Sequence, residues 1–408
     1  MIVEIKKSRA KGCVYAPPSK SVAHRLLIAA ALADGTSKIQ GISECDDVLA
    51  TIDCLSALGA SIEHKEKDII VTGFNPKNSE PPTTLNCRES GSTLRFLFPI
   101  ALLSGHRIRF EGAKRLLERP LGVYEKICAE CGIKIIHTDG FIDTDGRLDI
   151  CDFYVSGDVS SQFISGLLFA APFMSGDVRI NVTTNIESHS YIDMTIDAMA
   201  RFGVDAVWQD EKTLFVRGGQ KYCPREVTVE GDFSAAVFID TLGLFGDGVE
   251  VLGLNESSLQ GDRVYKEHLK ALSAGYAEIS LEDCPDLAPI LFTVAAELHG
   301  GKFTGTRRLR LKESDRAAVM ADELSKFGAD VSIFDDYVVV NSAKLHAPKE
   351  HLFSHNDHRV VMSLATLASI YGGVIEGAEA VKKSYPNYFS DISSLGIDIK
   401  YHENNKIN

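Results

Sequence analysis

Polar and apolar positions along this chain fall into blocks, and the blocks recur. Six times a short run rich in Ser, Asp, Gly or Lys opens a strongly apolar stretch, then a Gly-containing turn and a short β-rich run. The runs are "PPSKSVAHRLLIAAALADGTSKIQG" from Pro17, "ESGSTLRFLFPIALLSGHRIRFEG" from Glu89, "SGDVSSQFISGLLFAAPFMSGDVRINV" from Ser156, "EGDFSAAVFIDTLGLFGDGVEVLGL" from Glu230, "EDCPDLAPILFTVAAELHGGKFTGT" from Glu282 and "HNDHRVVMSLATLASIYGGVIEGA" from His355. Each is predicted to be a capped apolar helix followed by a strand, with caps at Ser19, Ser90, Asp158, Asp232, Asp286 and Asp357. These caps lie 54 to 74 residues apart, the spacing of a repeat architecture.

A second design lies between these helices. In "DDVLATIDCLSALGASIEHKEKDIIVTGF", Val48, Ile52, Leu55 and Leu58 recur at helical spacing, Gly59 closes the helix, and two strands follow. "LGVYEKICAECGIKII", "SYIDMTIDAMARFGVDAVWQDEKTLFVRGG" and "SDRAAVMADELSKFGADVSIFDDYVVVNS" repeat it. A unit therefore reads strand, helix, strand, helix, strand, strand. Six βαβαββ repeats are expected, three per half. The halves are residues 19–228, and 1–18 with 229–408, with the first strand around Val3–Val14 pairing into the C-terminal half. Helix N-termini from both halves would then face one shared cleft, and such ends attract phosphates and carboxylates.

Composition narrows the partners. The chain has 408 residues, 45% of them apolar and 24% charged, with a net charge of −13. That balance argues against a broad nucleic-acid or anionic-membrane surface but leaves room for small anionic substrates at a local cationic cluster. The opening "MIVEIKKSRAKGCVY" lacks the apolar core of a signal peptide, and apolar runs stop short of membrane-spanning length, so a cytoplasmic protein is expected. Nine scattered cysteines fit reduced thiols. Cys128 and Cys131 have C-x-x-C spacing without a second pair, and read as two thiols on a helix before Gly132.

Several polar residues exceed what capping needs. Ser160, Ser161 and Gln162 open the third apolar helix together. Lys20 and Ser21 sit in the first turn of the first, with Arg25 a turn later, and His358 and Arg359 open the sixth. A cation at a helix N-terminus opposes the dipole, so an anion lying over that end would account for it. Gly91 leaves room for close backbone approach at the second. Further cations stand in "KRLLERP" with Arg119, in "LRLKESDR" with Lys312 and Arg316 at i, i+4 on one helix face, and in "VKKSYPNYF" with Lys382 and Lys383.

Taken in order, "PPSKSVAHR", "ESGSTLR", "LLERPLG", "SGDVSSQF", "DCPDLAP", "LRLKESDR", "NDHRVVM" and "KKSYPNYF" resemble the 5-enolpyruvylshikimate-3-phosphate synthase (3-phosphoshikimate 1-carboxyvinyltransferase) family along nearly the whole chain. The resemblance implies an α/β fold, the two-domain inverse α/β barrel of enolpyruvyl transferases. It implies transfer of an enolpyruvyl group from phosphoenolpyruvate to the 5-hydroxyl of shikimate 3-phosphate with release of phosphate, and no metal or organic cofactor; nothing in the sequence suggests an obligate partner, so a monomer is expected. By position, it implies that Lys20, Ser21, Arg25, Ser160, Ser161, Gln162, Ser188, Tyr191, Asp286 and Lys312 hold shikimate 3-phosphate. Lys20, Gly91, Arg119, Gln162, Arg316, His358, Arg359 and Lys383 would hold phosphoenolpyruvate, and Asp286, Glu313 and Lys20 would move protons.

There are departures from the family pattern. Glu89-Ser90-Gly91-Ser92 replaces Asn-Ala-Gly-Thr, no proline follows Arg95, and Arg308 stands where the family often has Asn. Two other readings are set against this one. The sister enzyme acting on UDP-N-acetylglucosamine carries a loop cysteine that "GAKRLLERPLG" lacks, and a phospho-ligand binding protein would have no use for Asp286 and Glu313 together.

Overall fold

The computed structural model describes residues 1–65, 68–78 and 84–402. Residues 66–67, within the first helix-and-two-strands stretch "DDVLATIDCLSALGASIEHKEKDIIVTGF", lie outside these. Met1–Pro17 with Gly231–Asn408 form one compact unit and Pro18–Glu230 the other.

In the Pro18–Glu230 unit, three helices are buried nearly all round: Lys20–Ala31, Gly91–Leu102 and Ser161–Ala170. A helix apolar on every side belongs inside a core. Full burial of side chains such as Leu27, Leu97 and Leu167 contributes about 1.5–3 kcal/mol each. The helices Asp46–Leu58, Gly122–Glu130 and His189–Arg201 bury one face only. Three four-stranded sheets complete the unit, each with one parallel pair and two antiparallel pairs.

The repeat is permuted at its seam. The strand Glu226–Thr228 comes last in this unit yet pairs in parallel with Thr36–Gln40, Val227 opposite Ile39, and so supplies the first strand of the first sheet. In the other unit, Ile2–Ile5 lies between Gly373–Glu376 and Ile399–His402, antiparallel to both. Gly12–Tyr15 pairs in parallel with Val249–Leu252. That last sheet has two strands. The unit beginning at Asp232 is shorter than the expected βαβαββ because helix Tyr265–Ala274 ends at Gly275, and Ala277–Ser280 already belongs to the next sheet. The buried helices here are Phe233–Phe245, Ala288–Glu297 and His358–Tyr371.

One packing detail bears on the site. Pro99 lies inside helix Gly91–Leu102 and has no N–H for the carbonyl of Arg95, four residues back. The Tyr124 hydroxyl donates to that carbonyl at 2.6 Å. Gly166 makes room for both: a Cβ there would lie 2.4 Å from the Arg95 oxygen and from the Tyr124 hydroxyl. The second and third buried helices are thereby held close, with Arg95 and Gln162 facing each other.

Four of the six expected caps form: Ser19, Ser90, Asp232 and Asp357 each accept from a backbone N–H of the first turn. Asp158 does not. Helix Ser161–Ala170 starts three residues later and Ser160 takes the role, accepting from Gln162 N–H at 3.3 Å, because a cap must directly precede the first turn. Asp286 does not cap either. It sits in the 3-10 turn Pro285–Leu287, and Pro285 and Pro289 remove N–H groups a cap would serve. Its carboxylate is left for side chains.

Candidate active site

In the Pro18–Glu230 unit the sequence-expected residues gather at helix starts. The Lys20 ammonium meets Asp47 Oδ2 at 2.8 Å, with both side chains largely buried. A carboxylate of the chain itself thus offsets the cation over this helix end. Arg25 is buried by its spacing, one turn inside an apolar helix. Nη1 donates to the Ser21 carbonyl (2.7 Å), Nε to Thr195 Oγ1 (2.9 Å) and Nη2 to the Tyr191 carbonyl (2.8 Å). Its plane lies over Phe96 and within 5.8 Å of the Tyr191 ring centroid. Burial pulls its pKa down to about 10, still fully protonated at neutral pH.

Ser188 precedes helix His189–Arg201 in the left-handed region at φ 58° and is buried. For a non-glycine residue that conformation costs of order 1 kcal/mol or more and is retained where the surroundings demand it.

A second group surrounds Gly91. A Cβ on Gly91 would fall 2.7 Å from Arg119 Nη1 and 3.2 Å from Arg95 Nη1. Arg95 donates to Gln162 Oε1 (2.8 Å), and Gln162 Nε2 donates to Ser92 Oγ (3.1 Å). Ser161, buried, opens the same helix as Gln162. Guanidinium groups, hydroxyls and free helix N–H groups here form a surface suited to a multiply charged anion.

In the other unit, Arg316 is the hub. It is 1% exposed and donates Nη1 to Asp286 Oδ1 (2.7 Å), Nη2 to Glu313 Oε2 (2.8 Å) and Nε to Asp357 Oδ2 (2.9 Å). Burial works against its charge, but Asp357, Glu313 and Asp286 outweigh that and hold its pKa well above the ordinary value. Asp286 also accepts from Lys312 Nζ at 3.2 Å and Arg359 Nη2 at 2.8 Å. Lys312 is not on a helix with Arg316, as its spacing suggested. Asp315 caps Arg316–Ser325, while Lys312 is extended backbone closing the 3-10 turn Arg307–Leu311. The two cations meet on Asp286 nonetheless. Burial lowers the Lys312 pKa, and neighbouring Arg316 and Arg308 add to that against the pull of Asp286 and Glu313.

Burial alone would raise the Asp357 carboxyl, yet Arg316 and His358 bring it below the usual range. Lys383 donates to the Asn356 carbonyl at 2.5 Å, and His358 is buried beside Asp357. Arg308, the departure noted above, donates Nη2 to the Glu282 carbonyl at 2.7 Å.

Asp47, Arg95, Ser92 and Asp357 belong to these clusters and were missed as site residues. Asp47 could not be paired with Lys20 from spacing. Arg95 carried a usable signal: an arginine one turn inside an otherwise apolar helix must be held by something. Among the described residues, Asp322, Glu323 and His355 bring ligand atoms within 4.8 Å of one another. The Glu323 oxygens, however, already accept from Lys326, His355 and the Phe353 N–H. All nine cysteines are free thiols, with Cys128 pushed up to about 12 chiefly by burial. Among the described residues no helix is long and apolar enough to cross a membrane.

Comparison with known proteins places the chain. The EPSP synthase (3-phosphoshikimate 1-carboxyvinyltransferase) family model matches residues 5–392. The 3-phosphoshikimate 1-carboxyvinyltransferase of Clostridium kluyveri is 39% identical over 418 aligned residues, covering 97% of this chain and 98% of that one. That of Clostridium acetobutylicum is 40% identical over 419, with the same coverage. An EPSP synthase structure from Acinetobacter baumannii has a TM-score of 0.79 at 24% identity, over 98% of this chain and 100% of the other. The enolpyruvyl transferase NikO from Streptomyces tendae has a TM-score of 0.78 at 16% identity, over 98% of each chain, and like the previous structure speaks for a shared fold. The family match over nearly the full length, together with two relatives near 40% identity, shows that this chain belongs to the EPSP synthase (3-phosphoshikimate 1-carboxyvinyltransferase) family.

Proposed function

We propose that this chain transfers the enolpyruvyl group of phosphoenolpyruvate to the 5-hydroxyl of shikimate 3-phosphate, releasing phosphate, as a step toward aromatic amino acids. The observation that carries the reading is the cluster in which Asp286 is held by Lys312, Arg316 and Arg359 with Glu313 on the same arginine. Anion binding alone gains nothing from two carboxylates among its cations, whereas proton transfer needs them.

The residue roles follow from chemistry. In the addition step the 5-hydroxyl loses its proton to a base and its oxygen bonds to C2 of phosphoenolpyruvate, while C3 receives a proton. In the elimination step C3 gives up a proton, the bond from C2 to the phosphate oxygen breaks, and the double bond re-forms. Asp286 is assigned as base and Glu313 as acid, with Lys20 able to serve at either stage.

Lys20, Ser21, Arg25, Ser160, Ser161, Gln162, Ser188, Tyr191, Asp286 and Lys312 are assigned to shikimate 3-phosphate. Gly91, Arg119, Arg316, His358, Arg359 and Lys383, with Lys20 and Gln162, are assigned to phosphoenolpyruvate. Their cations would stabilise the leaving phosphate. The protein is read as a cytoplasmic monomer acting on small anions, which sedimentation and fractionation check.

The test is phosphate release. It should require both substrates together. Release with either substrate alone, or equal turnover with UDP-N-acetylglucosamine as acceptor, would sink the assignment.

A further inference from the structure

Asp262 lies in "SLQGDRVY", a stretch outside every motif used above. It is 1% exposed, in the 3-10 turn Gly261–Val264. Its Oδ2 accepts from the Ser234 hydroxyl, and its Oδ1, buried, has no hydrogen-bond partner among the described residues. The same stretch clamps the start of helix Phe233–Phe245. Gln260 Oε1 accepts from Phe233 N–H (3.1 Å), Gln260 Nε2 donates to the Gly231 carbonyl (2.8 Å), and the Tyr265 hydroxyl donates to Asp240 Oδ2.

An acid is an expensive residue to bury in such a clamp, because an ionised carboxylate in a protein interior costs several kcal/mol. What lies beyond Ser234 gives it a use. The Ser234 carbonyl accepts from Arg359 Nη1 at 3.1 Å, and Arg359 Nη2 holds Asp286 at 2.8 Å. The titratable or charged groups facing Asp262 are Asp286, Asp232, Arg359 and the Cys284 thiol. Burial pushes the Asp262 carboxyl up, and Asp286 and Asp232 add to that. Arg359 and the Ser234 bond pull it down, leaving it at about 7.

We propose that Asp262 is a positioning residue for Arg359, and that its charge sets how tightly the anionic donor substrate is held there. The inference rests on the assignment of Arg359 to phosphoenolpyruvate. A neutral Asp262 leaves the guanidinium's field to the substrate. An ionised Asp262 adds a negative charge beside it and weakens the hold. By reciprocity, an anion arriving at Arg359 favours proton uptake by Asp262. The carboxyl is neutral below about pH 7 and ionised above it, so affinity should fall as pH rises from 6 to 8.5.

Asp262→Asn keeps an acceptor for Ser234 and removes the charge. Its KM for phosphoenolpyruvate should match the wild type at pH 6 and be roughly 3- to 10-fold lower than the wild type at pH 8.5. Ionisation of the substrate phosphates is common to both proteins and cancels in the ratio. The difference should lie in KM for phosphoenolpyruvate and not in kcat or in KM for shikimate 3-phosphate. Ser234→Ala removes a bond that favours the ionised form, so it should move the inflection to higher pH.

Calorimetric titration with phosphoenolpyruvate at pH 7.5, in two buffers of different ionisation enthalpy, gives a readout without turnover. The wild type should take up more protons than Asp262→Asn. The variant should melt no lower than the wild type at pH 8, since it loses a buried charge. Parallel KM profiles with equal proton uptake would overturn the proposal. A wild type that binds phosphoenolpyruvate but releases no phosphate would sink the reaction assigned above, and the proton count would still decide Asp262.

Discussion

The Arg316 guanidinium donates to Asp357 Oδ2 at 2.9 Å, and the two side chains are 1% and 0% exposed. Removing Arg316 strands Asp357 and takes a donor from Asp286 and Glu313 as well, at a cost of about 3–5 kcal/mol. Asp357→Asn leaves Arg316 with Asp286 and Glu313, so it should lower unfolding free energy by less than Arg316→Met in urea melts at pH 7. If Asp357→Asn is the weaker of the two, the stranded-charge account is wrong.

The same pair has a pH signature. The folded-state pKa of Asp357 is depressed, so its contribution is present above the unfolded value, about 4, and is lost as pH falls through the folded one. Stability of the wild type should decline below pH 4 more steeply than that of Asp357→Asn. Urea midpoints measured between pH 3 and 7 give the comparison.

Glu313 accepts from Arg316 Nη2 at 2.8 Å, and a carboxylate in that place is a poor choice for gripping an anion. Glu313→Gln should cut turnover by about 10²–10⁴ while shikimate 3-phosphate still binds. Near-normal turnover would mean that the proton travels through another group.

Gly91→Ala would put a methyl carbon 2.7 Å from Arg119 Nη1, so that guanidinium must shift. Losing one charge-assisted bond costs roughly 1.5–3 kcal/mol, which predicts a KM for phosphoenolpyruvate about ten- to a hundredfold higher. The KM for shikimate 3-phosphate should stay within about twofold, given the separate assignment of Arg25 and the serines. Equal rises for both substrates would break that partition.

Asp47→Asn removes the carboxylate that meets Lys20. With its own counter-ion gone, Lys20 should hold substrate anions more tightly but release them less readily. The expected result is a lower KM for phosphoenolpyruvate together with a lower kcat. A higher KM with unchanged kcat would show that Asp47 serves to aim Lys20 instead.

The repeat was legible because it rests on periodicity. Caps, apolar blocks and glycine stops are local signals, and they located every buried helix. The errors came where local signals compete. Asp158 and Ser160 are both good caps two residues apart, and only the start of the helix decides between them. Asp286 looked like a cap, but the flanking prolines shift that work and free it for three cations. The Lys312 and Arg316 spacing fits a helix face, yet Asp315 starts the helix after Lys312. Asp47 and Asp262 were invisible for another reason. Their partners Lys20 and Ser234 lie 27 and 28 residues away, and only tertiary packing brings them together.

The strand Ile2–Ile5 is made long before its partner Ile399–His402. At about 5–20 residues per second, ribosomal synthesis separates them by roughly 20 to 80 s. Once Glu230 has been made, the unit formed by Pro18–Glu230 has all its own strands, while Ile2–Ile5 still has neither neighbour and exposes two unpaired edges. Birth order along the ribosome thus makes the central part of the polypeptide the early folder. It leaves Ile2–Ile5 a waiting segment until its neighbours are made.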